Sequence, residues 1–308
     1  MIGNIHIMGI LNLNEDSFFA ASRTAAADAL PHIRALFAEG ADVVDLGACS
    51  TRPGSAQPSL EEEWSRLEPV LKEMAGHALT GDSVSLCSTP APPTASGSGP
   101  LPLPLSGGGQ APVRAYPAIS IDTYRSEIVK RVYDTIGPFL VNDISAGQLD
   151  PDMLPTVGRL GLPYVAMHMR GTPQTMQSLT EYNDIVKDIE LYFRDFTAKA
   201  QENGISEWIL DPGFGFAKTL EQNYELLRRM GELKAAFPQE ILAGLSRKSM
   251  AYKVLGITPE EAMPATQVLN FKALEQGATW LRVHDVVPAV QTARLYSTMY
   301  TSSPGAAK

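Results

Sequence analysis

The strongest constraint on the fold of this chain is a rhythm of eight short apolar runs, each closing on polar residues. They are His6–Asn12, Asp42–Ala48, Ala118–Tyr124, Phe139–Ser145, Pro163–Met169, Glu207–Pro212, Glu240–Ser246 and Trp280–Val286. Runs this short, and this rich in Val and Ile, read as strands buried on both faces. Helical spacing fills most of the intervals. In Ala25–Gly40, Leu30, Ile33, Leu36 and Phe37 share a stripe and Gly40 supplies a stop. Asn183–Gly204 and Leu220–Phe237 follow the same pattern. Alternating strand and helix builds parallel β/α units, so the expected fold class is α/β, a (β/α)8 TIM barrel. A doubly wound sheet would usually carry a Gly-x-Gly-x-x-Gly turn after its first strand, and the sequence has none.

One stretch breaks the rhythm. Over residues 76–116 Pro, Gly and Ser dominate and apolar periodicity vanishes. This reads as a flexible low-complexity insertion between the second helix and the third strand, within a single domain spanning residues 1–308. A connection of that kind belongs at the N-terminal face of a barrel, away from any substrate. The repeat at Pro100–Leu105 could form polyproline II and take a partner, but a solvated surface loop accounts for it more simply.

Composition excludes several function classes. A net charge of -9 does not invite nucleic acid or an anionic membrane. No run approaches the roughly 18 apolar residues of a membrane-spanning helix, and the first residues do not read as a signal peptide. The two cysteines, Cys49 and Cys87, form no CxxC pair, so neither a disulfide framework nor a zinc site is expected and a cytoplasmic location is the simple reading.

Barrel chemistry sits where strands end. Here those ends carry Asn12, the Ser50-Thr51-Arg52 loop, Asp122, Asn142, Met167 with His168, Asp211, Lys248 and Arg282 with His284. A helix cap would explain one such residue; polar groups at nearly every strand end point to a shared ligand. Acceptors at Asp122 and Asp211, an amide at Asn142 and donors at Lys248 and Arg282 suit a flat heterocycle with alternating donor and acceptor edges. Arg52, Arg282 and His284 form an anion-binding cluster on an acidic chain. Asn12 and Asp16 offer hard oxygens suited to magnesium. His168 reads equally as a core histidine or a ligand contact, Asp285 as a group orienting Arg52 or His284 or as a loop cap, and Cys49 as inert packing.

These segments resemble the dihydropteroate synthases. The resemblance rests on Met8–Phe18, Ser50–Ser55 (STRPGS), Ser120–Val129, Val141–Gly147, Met167–Gln177, Leu210–Thr219 (LDPGFGFAKT), Gly244–Ser249 (GLSRKS) and Arg282–Val286 (RVHDV), in order along nearly the whole chain. It departs in the first loop, where Asn14–Phe18 reads NEDSF, and at Cys49, where the family often has Glu.

The resemblance implies a transferase of folate biosynthesis. It condenses 6-hydroxymethyl-7,8-dihydropterin pyrophosphate with p-aminobenzoate to give 7,8-dihydropteroate and pyrophosphate. It also implies Mg2+ as the metal, a cytoplasmic homodimer and a sulfonamide target. Carried over by position, Asp122, Asn142 and Asp211 would bind the pterin edge, with Met167 and Gly244 lining the ring site. Lys248 would donate to the ring oxygen and N5. Arg282 would cover the ring face and reach the phosphates with Arg52, His284 and Asn12. Asp16 would help to hold the metal, Thr51, Arg52 and Pro53 would come from the second loop, and Phe216 and Ser249 would border the p-aminobenzoate pocket. Arg52, Lys248, Arg282 and His284 are the expected catalytic set. Two rivals are a methyltetrahydrofolate corrinoid methyltransferase domain, disfavoured by the STRPG, SRKS and RVHD group, and a non-catalytic pterin-binding module, disfavoured because Asn12, Arg52 and His284 are all present.

Overall fold

The computed structural model describes residues 5–13, 22–49, 57–79 and 118–301. Eight parallel strands close into a barrel in chain order. They are β1 (His6–Asn12), β2 (Val43–Gly47), β3 (Ile119–Asp122), β4 (Leu140–Asp143), β5 (Tyr164–Met167), β6 (Trp208–Asp211), β7 (Glu240–Ala243) and β8 (Trp280–Val283). Each lies within its predicted run. All but β1 are shorter, because the polar residues at the ends of the runs turn into loops. Pairing of β8 with β1, His6 beside Trp280, closes the ring. The helices are α1 (Ser22–Glu39), α2 (Leu60–Leu79), α3 (Ser126–Ile136), α4 (Met153–Leu160), α5 (Ile185–Glu202), α6 (Leu220–Ala236), the single turn α7 (Ser249–Tyr252), α8 (Met263–Glu275) and α9 (Val286–Thr301). The fold is the expected (β/α)8 barrel. Helix α2 continues through Gly76–Leu79, four residues into the segment read as an insertion; the remainder of that segment lies outside the described residues.

Strand side chains alternate, and the alternation sorts the barrel. One set, including Ile7, Leu11, Val44, Leu46, Ile121 and Val141, joins the main core with Ile33, Leu67, Val129, Phe193 and Leu226 of the surrounding helices. The other set makes a separate buried cluster of Met8, Val43, Leu140, Val165, Ile209, Leu242 and Trp280. Seven strands supply one residue each, and residues from opposite strands can meet only in the lumen. This cluster is the lumen floor, and burying each such side chain contributes roughly 1.5–3 kcal/mol. At its edge His6 stacks on Trp280 with ring centres 4.4 Å apart.

Helix caps fix the loops above the floor. The Asp184 side chain accepts from Val186 N and Lys187 N at the start of α5. Thr219 and Gln222 form a reciprocal capping box at the start of α6, which sets the exit of the β6 loop.

Candidate active site

Two residues beyond four of the seven floor residues, the lumen turns polar. Val43, Leu140, Ile209 and Trp280 are followed on the same face by Asp45, Asn142, Asp211 and Arg282. Register sets Asp122 between Gly47 and Asn142, and Met167 beside Asp211. The structure therefore gathers Asp122, Asn142, Met167, Asp211 and Arg282 in one layer, as the sequence pattern predicts.

Arg282 organises one half of that layer. Its Nε donates to Asp45 Oδ2 at 2.7 Å and its Nη2 to Asp122 Oδ2 at 2.9 Å. Asn142 Nδ2 donates to the same Asp45 oxygen at 3.0 Å. Burial opposes the Arg282 charge, yet Asp45 and Asp122 together hold its pKa above the ordinary guanidinium value. Burial pushes the Asp122 carboxyl up to about 7, against the pull of Arg282.

Asp211 and Lys248 organise the other half. Asp211 Oδ1 accepts from Gly213 N at 2.7 Å. A Cβ on Gly244 would lie 3.6 Å from Lys248 Nζ and 4.0 Å from Asp211 Oδ2, so both groups converge over a residue without a side chain. Lys248 Nζ also donates to Phe214 O at 2.5 Å and lies 4.9 Å from the centre of the half-buried Phe216 ring. Burial lowers the Lys248 pKa to about 8 despite Asp211; burial also raises the Asp211 carboxyl, with Lys248 opposing. Ser249 follows Lys248 as the first residue of α7 and is half-buried.

At the rim, His284 is exposed, with Nδ1 3.0 Å from Ser246 Oγ. Asn12 ends β1 at the level of Gly47. A Cβ on Gly47 would sit 3.2 Å from Asn12 Oδ1 and 3.8 Å from Asp122 Oδ2. The missing side chain thus leaves a small cradle beside the Asn12 amide oxygen, which is free of the Arg282 contact that engages Asp122 and is the hard donor suited to magnesium. Asp16, Thr51, Arg52 and Pro53 lie outside the described residues.

Three single-residue readings are resolved or corrected. Both oxygens of Asp285 bind Arg247, at 2.7 and 2.9 Å, so among the described residues its partner is Arg247. Arg247 makes this pair from a left-handed backbone conformation at φ 53°. His168 is a core histidine, buried, with Nδ1 3.0 Å from Lys218 Nζ. Cys49 is buried, and burial followed by the nearby Glu63 pushes its thiol well above the ordinary range, which matches inert packing.

Sequence reasoning missed Asp45 and Lys218. Asp45 lies mid-strand rather than at a strand end; its signal is a carboxylate two residues after Val43 in an apolar run. Lys218 is buried and its Nζ donates to Gly213 O at 2.9 Å and Phe216 O at 3.0 Å, knitting the β6 loop into one piece. Nothing but its place after GFGFA marked it.

The comparisons agree with this geometry. The pterin binding enzyme family matches residues 8–92 and 112–284. The gap falls within the Pro/Gly/Ser-rich stretch. The dihydropteroate synthase of Escherichia coli K12 is 33% identical over 293 residues, covering 94% of this chain and 90% of its own. The chain belongs to the dihydropteroate synthase family. The family member from Synechocystis is also 33% identical, over 96% of this chain and 90% of its own. Among solved structures, the dihydropteroate synthase of Clostridium difficile, determined in the presence of pteroic acid, superposes with a TM-score of 0.78 at 30% identity, covering 97% of each chain. That of Xanthomonas albilineans with 4-aminobenzoic acid gives 0.77 at 28% identity, over 98% of this chain and 95% of its own. Like those family members, this chain is an enzyme of the transferase class.

The displaced pKa of Lys248 predicts a pH profile. Below about pH 8 Lys248 is an ammonium, the form that would donate to a ring oxygen; above it the donor charge is lost. Ring affinity should therefore fall as pH rises through about 8. Stability should move the other way. From about 8 up to the unfolded value of 10.5 the unfolded chain binds more protons at this group, so its contribution to stability rises with pH. Calorimetric titration with 6-hydroxymethylpterin across this range, on wild type and Lys248→Arg, reads the effect. An alkaline limb that does not move in the variant would assign it to another group.

Proposed function

We infer that the barrel joins a dihydropterin to p-aminobenzoate, releasing pyrophosphate: the dihydropteroate synthase reaction. The observation that carries this reading is the split upper layer of the lumen, with the Asp211–Lys248 pair on one side and Arg282 bound to two carboxylates on the other. Asp211 and Asn142 accept from the ring's N–H donors, Asp122 closes the same edge, and Lys248 donates to the ring oxygen and N5. Met167 and Gly244 leave room for a flat ring. Arg282, with Arg52, His284 and Asn12, faces the diphosphate.

The bond from the pterin methylene to the diphosphate oxygen breaks, and the electron pair leaves with the diphosphate. The methylene cation is delocalised into the ring, which Asp211, Asn142 and Asp122 hold. The neutral arylamine of p-aminobenzoate, seated by Phe216, Ser249, Thr51 and Pro53, attacks the methylene and loses a proton. The residues act by positioning and charge stabilisation, without a covalent intermediate. Asn12 and Asp16 are the groups suited to hold Mg2+, which when bound would neutralise charge on the leaving diphosphate.

The test is direct. Purified protein, both substrates and magnesium should yield dihydropteroate and pyrophosphate in equal amounts. Excess chelator should stop turnover and added magnesium should restore it. Full activity in chelator would remove the metal from the reading, and no product in magnesium would remove the reaction. The same reading makes the protein a cytoplasmic sulfonamide target.

A homodimer belongs to the proposal as well. Helices α8 and α9 expose Val268, Leu295, Met299 and Tyr300, at 58 to 70% of their surface. An apolar face of this kind suits burial against a second copy. Light scattering at micromolar concentration should give twice the chain mass, and a monomer mass would refute it.

A further inference from the structure

Asp45 lies mid-strand on the lumen face of β2, two residues beyond Val43 of the floor, and is fully buried. Its Oδ2 receives Arg282 Nε at 2.7 Å and Asn142 Nδ2 at 3.0 Å, and Arg282 Nη2 lies 2.7 Å from the same oxygen. Its Oδ1 has no hydrogen-bond partner among the described residues. A buried carboxylate is costly, and one kept only for stability would use both oxygens. This one concentrates its contacts on a single oxygen and two ligand-facing side chains.

The chemistry of those contacts is directional. A carboxylate can only accept, so the Asn142 NH2 must face Asp45. The Asn142 Oδ1 and the second N–H then remain for a ligand, in a fixed order. On Arg282 the edge carrying Nε and Nη2 is committed to Asp45 and Asp122, which leaves Nη1 for a ligand. A planar guanidinium held along one edge cannot rotate about its stem without breaking both ion pairs.

We propose that Asp45 is a positioning residue that sets, through one oxygen, both the direction in which Asn142 presents its amide and the orientation of the Arg282 fork. The ring-reading and phosphate-facing parts of the site are thereby aligned by one carboxylate that touches neither substrate. The proposal rests on the pterin reading above and adds a residue to it.

Asp45→Asn keeps the shape, removes the charge that holds the Arg282 fork and leaves a neutral amide oxygen in place of the carboxylate. Affinity for 6-hydroxymethylpterin should fall at least about tenfold, and turnover should fall further, because Arg282 is misaligned as well. The side-chain 15N–1H signals of Asn142 and Arg282 should both shift in the free protein, while unfolding stays cooperative. Ser120→Ala is the control. Ser120 pairs with Asp45 in register and its buried Oγ has no hydrogen-bond partner among the described residues, so its loss should leave affinity within about twofold. If Asp45→Asn does not fold, Asp45→Ser, which admits water, carries the same measurements. Affinity and turnover within about twofold of wild type would overturn the proposal. So would a loss of affinity with the Asn142 and Arg282 signals unmoved, since Asp45 would then act by packing alone. Failure of the wild-type protein to bind the pterin would instead overturn the functional reading.

Discussion

Replacing Arg282 with methionine is expected to lower turnover by about a hundredfold to a thousandfold, the range seen when one preorganised electrostatic group is removed from a site of developing charge. The same change should destabilise the barrel by about 3–5 kcal/mol, because it strips a buried ion pair of one partner. The magnitude follows from the geometry. Asp45 and Asp122 both lean on this guanidinium, and among the described residues neither has another cation within ion-pair distance. Methionine fills the space and leaves two carboxylates facing each other in a dry lumen, so protonation of Asp122, already displaced upward to about 7, becomes the only relief. Arg282→Lys separates the two effects. It keeps a charge near the carboxylates and so should recover much of the stability, but a point-like ammonium cannot hold both and reach a diphosphate. Steady-state kinetics and denaturant titration on both variants make the check. Turnover within about tenfold of wild type in the methionine variant would remove Arg282 from the catalytic set.

Gly213→Ala should have an effect of similar size by a different route. Gly213 has φ 71°, where a side chain is strained, and a Cβ there would lie 2.1 Å from His168 O. His168 is tied to β6 by its own N–H, which donates to Asp211 O at 2.9 Å. The methyl group must therefore force the ends of β5 and β6 apart. Backbone strain of about 1–3 kcal/mol and overpacking of about 1–3 kcal/mol add in the same sense. The displaced loop carries the N–H that binds Asp211 Oδ1, the Phe214 carbonyl that binds Lys248 and the two carbonyls that bind Lys218. Ring affinity should fall well beyond tenfold even if the chain still folds. A variant with wild-type stability and affinity would mean that the turn has room the geometry denies it.

The strands were legible because a buried parallel strand needs an unbroken apolar run, and each run here stops where its polar residues begin. Their polar ends were legible for the same reason, since Asp122, Asn142, Asp211 and Arg282 interrupt runs that otherwise bury well. Asp45 was not, because a charge in mid-strand resembles an exposed edge residue until the alternation is followed inward from Val43. Lys218 was not, because its partners are backbone carbonyls, which leave no trace in side-chain composition. The pairing of Asp285 with Arg247 depends on a left-handed backbone turn at a non-glycine residue, and sequence rules assign that conformation mostly to Gly and Asn. The run of α2 through Gly76–Leu79 was hidden by the onset of glycine and serine in the sequence.

The bonded set in the upper lumen also bears on how inhibition of this protein could be escaped. Asp45, Asp122, Asn142 and Arg282 depend on one another for charge balance and direction, so a substitution at any of them disturbs the rest. Phe216 and Ser249 sit on loop and helix-start positions, outside that set of bonds. On the proposed reading, a compound that binds the strand-borne groups confronts residues whose single replacement would also disturb the binding of substrate. One that leans on the loops meets residues with more freedom to vary, and resistance by point mutation should gather there.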